Sequence, residues 1–249
     1  MSELSKRIGR IQRREGSGGM GFGTARRDAP RAMLLAAVAS STADAKVAAE
    51  AGVDVLLLDA PTAADAARAI KPLGKVCAGA RLPSLDPAGA ASLREAGCDF
   101  VISPAATTAS TAVDTEAMGQ VLTVADTVSD TTLRALGPLG LDALFVDGDR
   151  STTTIAGQLE LVRLASLSGV PLAVAVPAKS TAAELRVLRD SGVAIVVVPR
   201  GTAAPELAAL IEALKAVPAP RKGRTGGDIA IVPAASHVEA DDDELDDPE

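Results

Sequence analysis

The sequence predicts a single (β/α)8 barrel, a closed sheet of eight parallel strands covered by helices. Two observations support this prediction. Aliphatic runs alternate with amphipathic segments eight times between residues 33 and 217. Four junctions between a helix and the next strand place Gly identically, in AGVD, AGCD, LGLD and SGVA, which begin at residues 51, 96, 139 and 191. Gly at a helix C-terminus followed directly by a strand is typical of the short αβ loop of barrels.

An open, doubly wound sheet would show a similar alternation of strands and helices. The count of eight units, with none missing, favours the closed barrel. A chain of 249 residues has the length of one such barrel or of two smaller domains. Its hydrophobic content is 47%, with three Phe and no Trp or Tyr, so the expected core is aliphatic.

The clearest unit lies at residues 193–217. Residues 194–198 form a continuous apolar run, which suits a strand buried on both faces. Pro199 lacks an N–H and ends the strand, and Thr202 is predicted to be the N-cap of the following helix. Apolar residues at i, i+3, i+4 and i+7 then form one stripe along that helix: Leu207, Leu210, Ile211 and Leu214.

The same pattern predicts the other strands in chain order. They lie at residues 33–39, 53–59, 75–82, 99–103, 120–126, 142–148 and 171–177. Helices are predicted to end near Gly52, Lys71, Gly97, Ser168 and Ser191, and another begins near Ser129. The fourth strand is followed by the long stretch PAATTASTAVDTEAMG.

The two ends of the chain carry opposite charge. Residues 1–32 form a basic, Gly-rich arm with eight Lys and Arg against three acidic residues, a net charge of +5. In this arm Leu4, Ile8 and Ile11 have helical spacing, which indicates either a short helix docked on the barrel or a loose basic arm. Residues 218–249 form a Pro/Gly linker and a tail that is predicted to be disordered, because residues 239–249 include eight acidic residues and no basic one. Residues 1–28 and 222–249 are expected to lie outside the cooperative core, since they bury too little apolar surface.

Several function classes are disfavoured. Gly16, Gly18 and Gly21 match G-x-G-x-x-G, but the dinucleotide fingerprint needs a strand before it and a helix after it. Here a basic amphipathic segment precedes the motif and ARRDAPR follows, so a flexible linker is the better interpretation. The acidic balance argues against nucleic acid as a partner, and no run approaches the roughly 20 apolar residues of a membrane span. Cys77 and Cys98 show neither metal-ligand nor disulfide spacing, which favours a reduced, cytoplasmic location. No metal site is expected, and the oligomeric state stays open.

Within the barrel region, the phrases AEAGVDVLLLDAP, REAGCDFVISP and RDSGVAIVVVPRG resemble the phosphate-binding type of TIM barrel over roughly residues 33–217. This superfamily includes small aldolases, thiamin-phosphate-synthase-like enzymes and flavin enzymes such as nitronate monooxygenase. The resemblance implies glycine-rich turns that hold phosphate after strands seven and eight. Those turns here are VPAKST and VPRGT, in which Gly201 matches.

Function in this fold resides at the C-terminal ends of the strands. Lys179 and Arg200 follow strands seven and eight, with Gly201 and Thr202 at the start of the last helix. Two cations beside a helix N-terminus suit an anion such as phosphate, so these four residues are the candidate cofactor-binding set. Alternatively, the two cations are solvated at the rim or pair with Asp147 or Asp149.

The strand ends also carry carboxylates, at Asp59, Asp126 and Asp147, with Asp149 beyond. Converging carboxylates bind Mg²⁺ or act as a general base with a raised pKa, and Asp59 and Asp147 are the candidate catalytic residues. The alternative is that they cap the following loops. Lys179 as a Schiff-base nucleophile would require desolvation.

Two functions from different classes follow. The first is an enzyme that holds a phosphorylated small molecule or flavin mononucleotide (FMN) at loops seven and eight, with a mouth aspartate as base. The alternative is a non-catalytic barrel that acts as a binding or scaffold module through its charged tails.

Overall fold

The eight strands form one closed, fully parallel barrel in which each strand pairs with the next and the last pairs with the first. The structure is a computed structural model, and it describes residues 1–16, 31–125, 127–148 and 154–218. Asp126, Asp149, His237, most of the Gly-rich linker and the acidic tail lie outside these residues. The closed barrel confirms the predicted fold.

The strands lie where the sequence pattern predicts them. They are β1 Leu34–Ala39, β2 Val55–Asp59, β3 Ala78–Arg81, β4 Phe100–Pro104, β5 Gly119–Val124, β6 Ala143–Val146, β7 Leu172–Ala175 and β8 Val193–Val198. The helices are α1 Glu3–Gly16, α2 Thr42–Glu50, α3 Ala63–Ile70, α4 Pro87–Glu95, α5 Asp130–Leu136, α6 Ile155–Ser168, α7 Ala182–Asp190 and α8 Ala204–Ala216.

The fourth connection differs from the prediction of eight complete βα units. Between β4 and β5 the chain forms a 3-10 turn at Ala105–Thr107 and then irregular structure, with no α-helix. This segment lacks an apolar stripe of helical period, and Thr108 makes local hydrogen bonds instead. The Thr108 hydroxyl bonds to Ser103 Oγ at 2.8 Å and donates to the Pro104 carbonyl at 2.7 Å. Such side-chain bonds compete with helix formation.

The core has two layers, as expected for strands buried on both faces. One apolar cluster lies between the sheet and the outer helices and includes Leu35 and Leu58. The other fills the inside of the barrel and includes Leu57, Phe100 and Phe145. Successive strand residues alternate between these layers because side chains alternate across a strand.

Helix α1 closes the N-terminal end of the barrel. Leu4 and Ile8 are buried, with relative exposures of 0% and 3%, and they pack against the residues that fill the inside of the barrel. The expectation that residues 1–28 lie outside the core is therefore wrong for these two residues. Of the two alternatives for the arm, the structure shows the docked helix.

Polar contacts fix the start of α1 to the barrel. Asp99 accepts hydrogen bonds from the backbone N–H groups of Glu3 and Leu4, at 2.7 and 2.8 Å. Ser2 Oγ donates to Asp142 at 2.7 Å and accepts from the N–H of Ser5 at 2.9 Å. A carboxylate that accepts from the first amides of a helix also complements the helix dipole. The Asp residues of the repeated AGCD and LGLD junctions thus anchor α1.

The two cysteines are buried free thiols. Burial raises the pKa of Cys98 to about 12 and raises the pKa of Cys77 as well. Neither thiol therefore has the thiolate character of a catalytic cysteine. Among the described residues no helix is both long enough and apolar enough to span a membrane.

Candidate functional site

A cavity of about 690 Å³ opens at the C-terminal ends of the strands. Its wall is mostly aliphatic and includes Val38, Ala175, Val176, Val197 and Val198, with the Phe145 ring. Its charged lining residues are Asp59, Arg81, Asp147 and Arg200. We call this space the mouth cavity. Its volume lies within the range of roughly 300–1,000 Å³ that is typical of small-molecule sites.

Strand periodicity explains which side chains line the mouth cavity. Leu57 and Phe145 belong to the cluster inside the barrel, and Asp59 and Asp147 lie two residues beyond them. Arg81 follows Gly79 at the same interval. Because side chains two apart lie on the same face of a strand, these charged residues continue the inward-facing rows toward the mouth.

Asp59 and Arg81 form an ion pair across adjacent strands. They are direct partners in the β2–β3 register. Arg81 Nε donates to Asp59 Oδ1 at 3.1 Å and Nη2 donates to Oδ2 at 2.7 Å, a bidentate arrangement. The hydrogen bond from Arg81 is the main cause that lowers the pKa of Asp59, and the positive charge of Arg200 adds to it. The expectation of a raised pKa is therefore wrong for Asp59, which stays ionised at neutral pH.

Arg81 also reaches across the barrel. Its guanidinium carbon lies 5.7 Å from the centroid of the Phe145 ring on β6, within cation–π distance. Asp59 accepts hydrogen bonds from Arg81 Nε and Nη2, whereas Arg81 Nη1 makes no hydrogen bond to any residue that the structure describes. The guanidinium therefore keeps donors for an anion in the mouth cavity.

Arg200 is exposed on the turn after β8 and lines the mouth cavity. Within the described ranges it forms no ion pair, although its charge lowers the pKa of Asp59 and, after the hydrogen bonds from Ser40 and Ser41, that of Asp44. Gly201 follows with φ +80°, a conformation that favours glycine. This turn places a cation beside the cavity without a fixed partner.

Thr202 does not have its predicted role. Helix α8 begins at Ala204, its N-cap is Ala203, and the Thr202 hydroxyl donates to the Pro199 carbonyl at 2.8 Å. The N–H of Ala203 donates to the Glu206 carboxylate at 3.3 Å, and Pro lies within the first turn. The cap position thus belongs to Ala203 because a glutamate three residues later satisfies its N–H.

Lys179 is exposed in the turn after β7 and is not among the residues that line the mouth cavity. Its exposure removes the desolvation that a Schiff-base lysine requires. Helix α7, which follows, starts with a capping box in which Thr181 and Glu184 satisfy each other's backbone N–H groups. Helices α7 and α8 therefore both begin beside one of their own carboxylates, where a phosphate would meet a negative charge.

Asp147 lies at the end of β6 and its carboxylate accepts from the N–H of Gly148 at 3.0 Å. It forms no ion pair with the residues that the structure describes. No group of three His, Cys, Asp or Glu residues suited to a metal is found in the described part of the chain. Asp126 and Asp149, which the sequence places near Asp147, lie outside that part.

The sequence pattern did not show the pairing of Arg81 with Asp59 or its contact with Phe145. The alternation of side chains along the strands indicates which residues face the cavity. When the inward-facing positions of β2, β3 and β6 are continued by two residues, they reach Asp59, Arg81 and Asp147. Only the register between strands, which the sequence does not encode locally, shows that Asp59 and Arg81 lie side by side.

The chain has structural relatives among known barrels. It is similar to a chain of tryptophan synthase from Mycobacterium tuberculosis, with a TM-score of 0.64 and 14% identity over 88% of this chain and 99% of that one. It is also similar to an HpcH/HpaI aldolase from Desulfitobacterium hafniense, with a TM-score of 0.53 and 15% identity over 75% of this chain and 94% of the aldolase. No family model and no curated protein matches the sequence. These similarities establish the fold alone, and the chain is a TIM barrel.

Proposed function

We propose that the mouth cavity binds a small anionic molecule, either phosphorylated or FMN. The observation that carries this proposal is the combination of one aliphatic cavity with two arginines, Arg81 and Arg200, at its charged side. Arginine is well suited to phosphate and carboxylate because its planar donors match both anions. The aliphatic wall would contact the rest of the ligand.

Arg200 and Arg81 have different parts in this proposal. Arg200 has no ion-pair partner among the described residues and would contact the anion directly. Arg81 is held in place by Asp59 and would contribute its remaining donors. Gly201, next to Arg200, would allow the backbone to approach the ligand.

Asp59 and Asp147 are the carboxylates in a position to catalyse. Asp59 is held by Arg81 and has a lowered pKa, so it is the weaker base and orients the guanidinium. Asp147 lines the same cavity without a described cationic partner, and we assign it the role of general base. Tryptophan synthase and the aldolase, both named as enzymes, support a catalytic use of the fold.

FMN is the more specific form of the proposal. The capped starts of α7 and α8 do not suit a phosphate grip by helix amides, so its phosphate would bind Arg200. The absorbance spectrum of the purified protein tests this form, because a bound flavin absorbs visible light. A colourless protein that binds inorganic phosphate would leave a phosphorylated molecule other than a flavin.

We expect inorganic phosphate to raise the melting temperature of the wild-type protein. At a free ligand concentration of one hundred times Kd the stabilisation is about 2.7 kcal/mol, which corresponds to several degrees for a chain of this size. Arg200→Ala should keep the melting temperature of the ligand-free protein, since the side chain is exposed, and should lose the shift. Differential scanning calorimetry measures both quantities.

Arg94→Ala is the matched control, since Arg94 is exposed on α4 and lies outside the mouth cavity. It should retain the full shift. If ligand-free Arg200→Ala melts several degrees lower than wild type, Arg200 has a structural role and the assignment is wrong. If neither phosphate nor FMN raises the melting temperature of the wild type, the alternative of a non-catalytic binding or scaffold module is favoured. The capped N-termini of α7 and α8 would agree with that alternative.

A further inference from the structure

Helix α6 has an apolar stripe on its outer face that no described residue covers. Ile155, Leu159 and Val162 lie at i, i+4 and i+7, with relative exposures of 73%, 64% and 37%. The opposite face of the helix is buried through Leu161 and Leu164. A helix that is apolar on both faces is typically covered on both.

The size of the stripe argues against a second copy of the chain as its cover. Stable interfaces bury about 1,200–2,000 Å² and involve roughly 20–30 residues on each side. Among the described residues, the other exposed large apolar side chains lie on different elements, at Met1, Val47 and Leu139. A stripe of three side chains, about 10 Å long at 1.5 Å per residue, fits a short peptide.

The C-terminal segment contains such a peptide. Residues 229–232 have the sequence IAIV, between the polar linker RKGRTGGD and the acidic tail. Four extended residues span about 13 Å, which matches the length of the stripe. In an extended segment Ile229 and Ile231 face the same side and can pack together on one surface.

The structure also shows in which direction the chain leaves the barrel. Arg189 on α7 has a side chain that is only 4% exposed, and its guanidinium donates to the Pro218 carbonyl just after α8. The chain therefore leaves α8 on the side of α7, and α6 is the next helix beyond α7. This contact holds the start of the C-terminal segment on the correct side of the barrel.

The linker is long enough to reach the stripe. Ten residues lie between Pro218 and Ile229, so the two are eleven residue steps apart and can be up to about 36 Å from each other. Packed helices lie 8–10 Å apart, so α6 is roughly 20 Å from α8 around the barrel.

We propose that residues 229–235 of the same chain dock on the α6 stripe formed by Ile155, Leu159 and Val162. Docking covers the exposed apolar face of α6. With this docking, the expectation that residues 222–249 lie outside the core applies only to the part of that segment that does not dock. The site is on the outer wall of the barrel and is independent of the mouth cavity.

Hydrogen exchange of the full-length protein, followed by mass spectrometry, tests the proposal in both directions. Ile231→Asp should increase exchange in residues 155–162 several-fold, and Leu159→Asp should increase exchange in residues 229–235 to a similar degree. Thr225→Asp, with the same change of charge in the linker, and Val47→Asp, at an exposed apolar position on α2, should alter neither segment.

Two results would overturn the proposal. The first is that residues 229–235 of the wild type exchange as fast as an unstructured peptide, which would show that they do not dock. Alternatively, light scattering would show a dimer that Leu159→Asp converts to a monomer, which means that a second copy covers the stripe.

Discussion

Leu4→Ala is expected to lower the free energy of unfolding by about 2–5 kcal/mol, as for other fully buried leucines. Leu4 has no exposed surface and packs inside the N-terminal end of the barrel. Removal of its side chain leaves a cavity that the surrounding strands, fixed by their hydrogen bonds, cannot close. Urea unfolding of the full-length protein measures the loss.

Leu139→Ala is the matched control, because Leu139 is 53% exposed, and its change should stay within about 0.5 kcal/mol. An equally small change for Leu4→Ala would contradict the account. It would show that α1 does not unfold with the barrel and would restore the view of the N-terminal segment as a loose arm.

Gly79→Ala is expected to destabilise the barrel by about 1–3 kcal/mol, the usual cost of overpacking a core. Gly79 lies on β3 under the Phe100 ring of β4, and a methyl group at this position would overlap the ring. The strands are hydrogen-bonded neighbours, so neither backbone can move away freely. Thermal unfolding of the variant gives the change in stability.

The ring contact can be isolated with a double-mutant cycle. Phe100→Leu should relieve part of the cost of Gly79→Ala, so the two substitutions should be coupled. Gly157→Ala in α6 is the control: its new methyl would have only ordinary contacts, and alanine is the better helix former. Additive effects of Gly79→Ala and Phe100→Leu would contradict the proposed overlap.

The barrel could be predicted from the sequence because its units repeat. A buried strand such as β8 leaves a continuous apolar run, and the turn that leads into it leaves a glycine at a fixed place, Gly192. Both patterns are local, so they can be recognised without knowledge of the rest of the chain. The prediction of a complete βα unit at the fourth connection is wrong. The count of eight units includes this connection, although its residues lack an apolar stripe of helical period.

Other features depend on contacts between distant parts of the chain. Leu4 and Ile8 show helical spacing, but nothing near them in sequence shows that the end of the barrel is open to receive them. Thr202 is an exception, because it resembles an N-cap and the competing contact, from Glu206 to the N–H of Ala203, is itself local. The pair of Asp59 and Arg81 depends on the register of two strands.

The anion site that we propose from the structure also differs from the one that the sequence predicts, because the sequence does not show which side chains face the cavity. Lys179 and Arg200 follow adjacent strands, which favoured an anion between them. In the structure Arg200 lines the mouth cavity together with Arg81, whereas Lys179 does not. Position after a strand places a residue at the correct end of the barrel, but only its side of the strand decides whether it faces the cavity.

The most direct test of the mouth cavity as the anion site is the affinity for inorganic phosphate of Arg81→Gln compared with Lys179→Ala, measured by isothermal titration calorimetry. A hydrogen bond to a charged group contributes about 1.5–3 kcal/mol, so Arg81→Gln should weaken binding by roughly 10- to 100-fold. Lys179→Ala should bind like the wild type. Loss of affinity in Lys179→Ala with unchanged affinity in Arg81→Gln would contradict the account and place the anion at the rim between loops seven and eight.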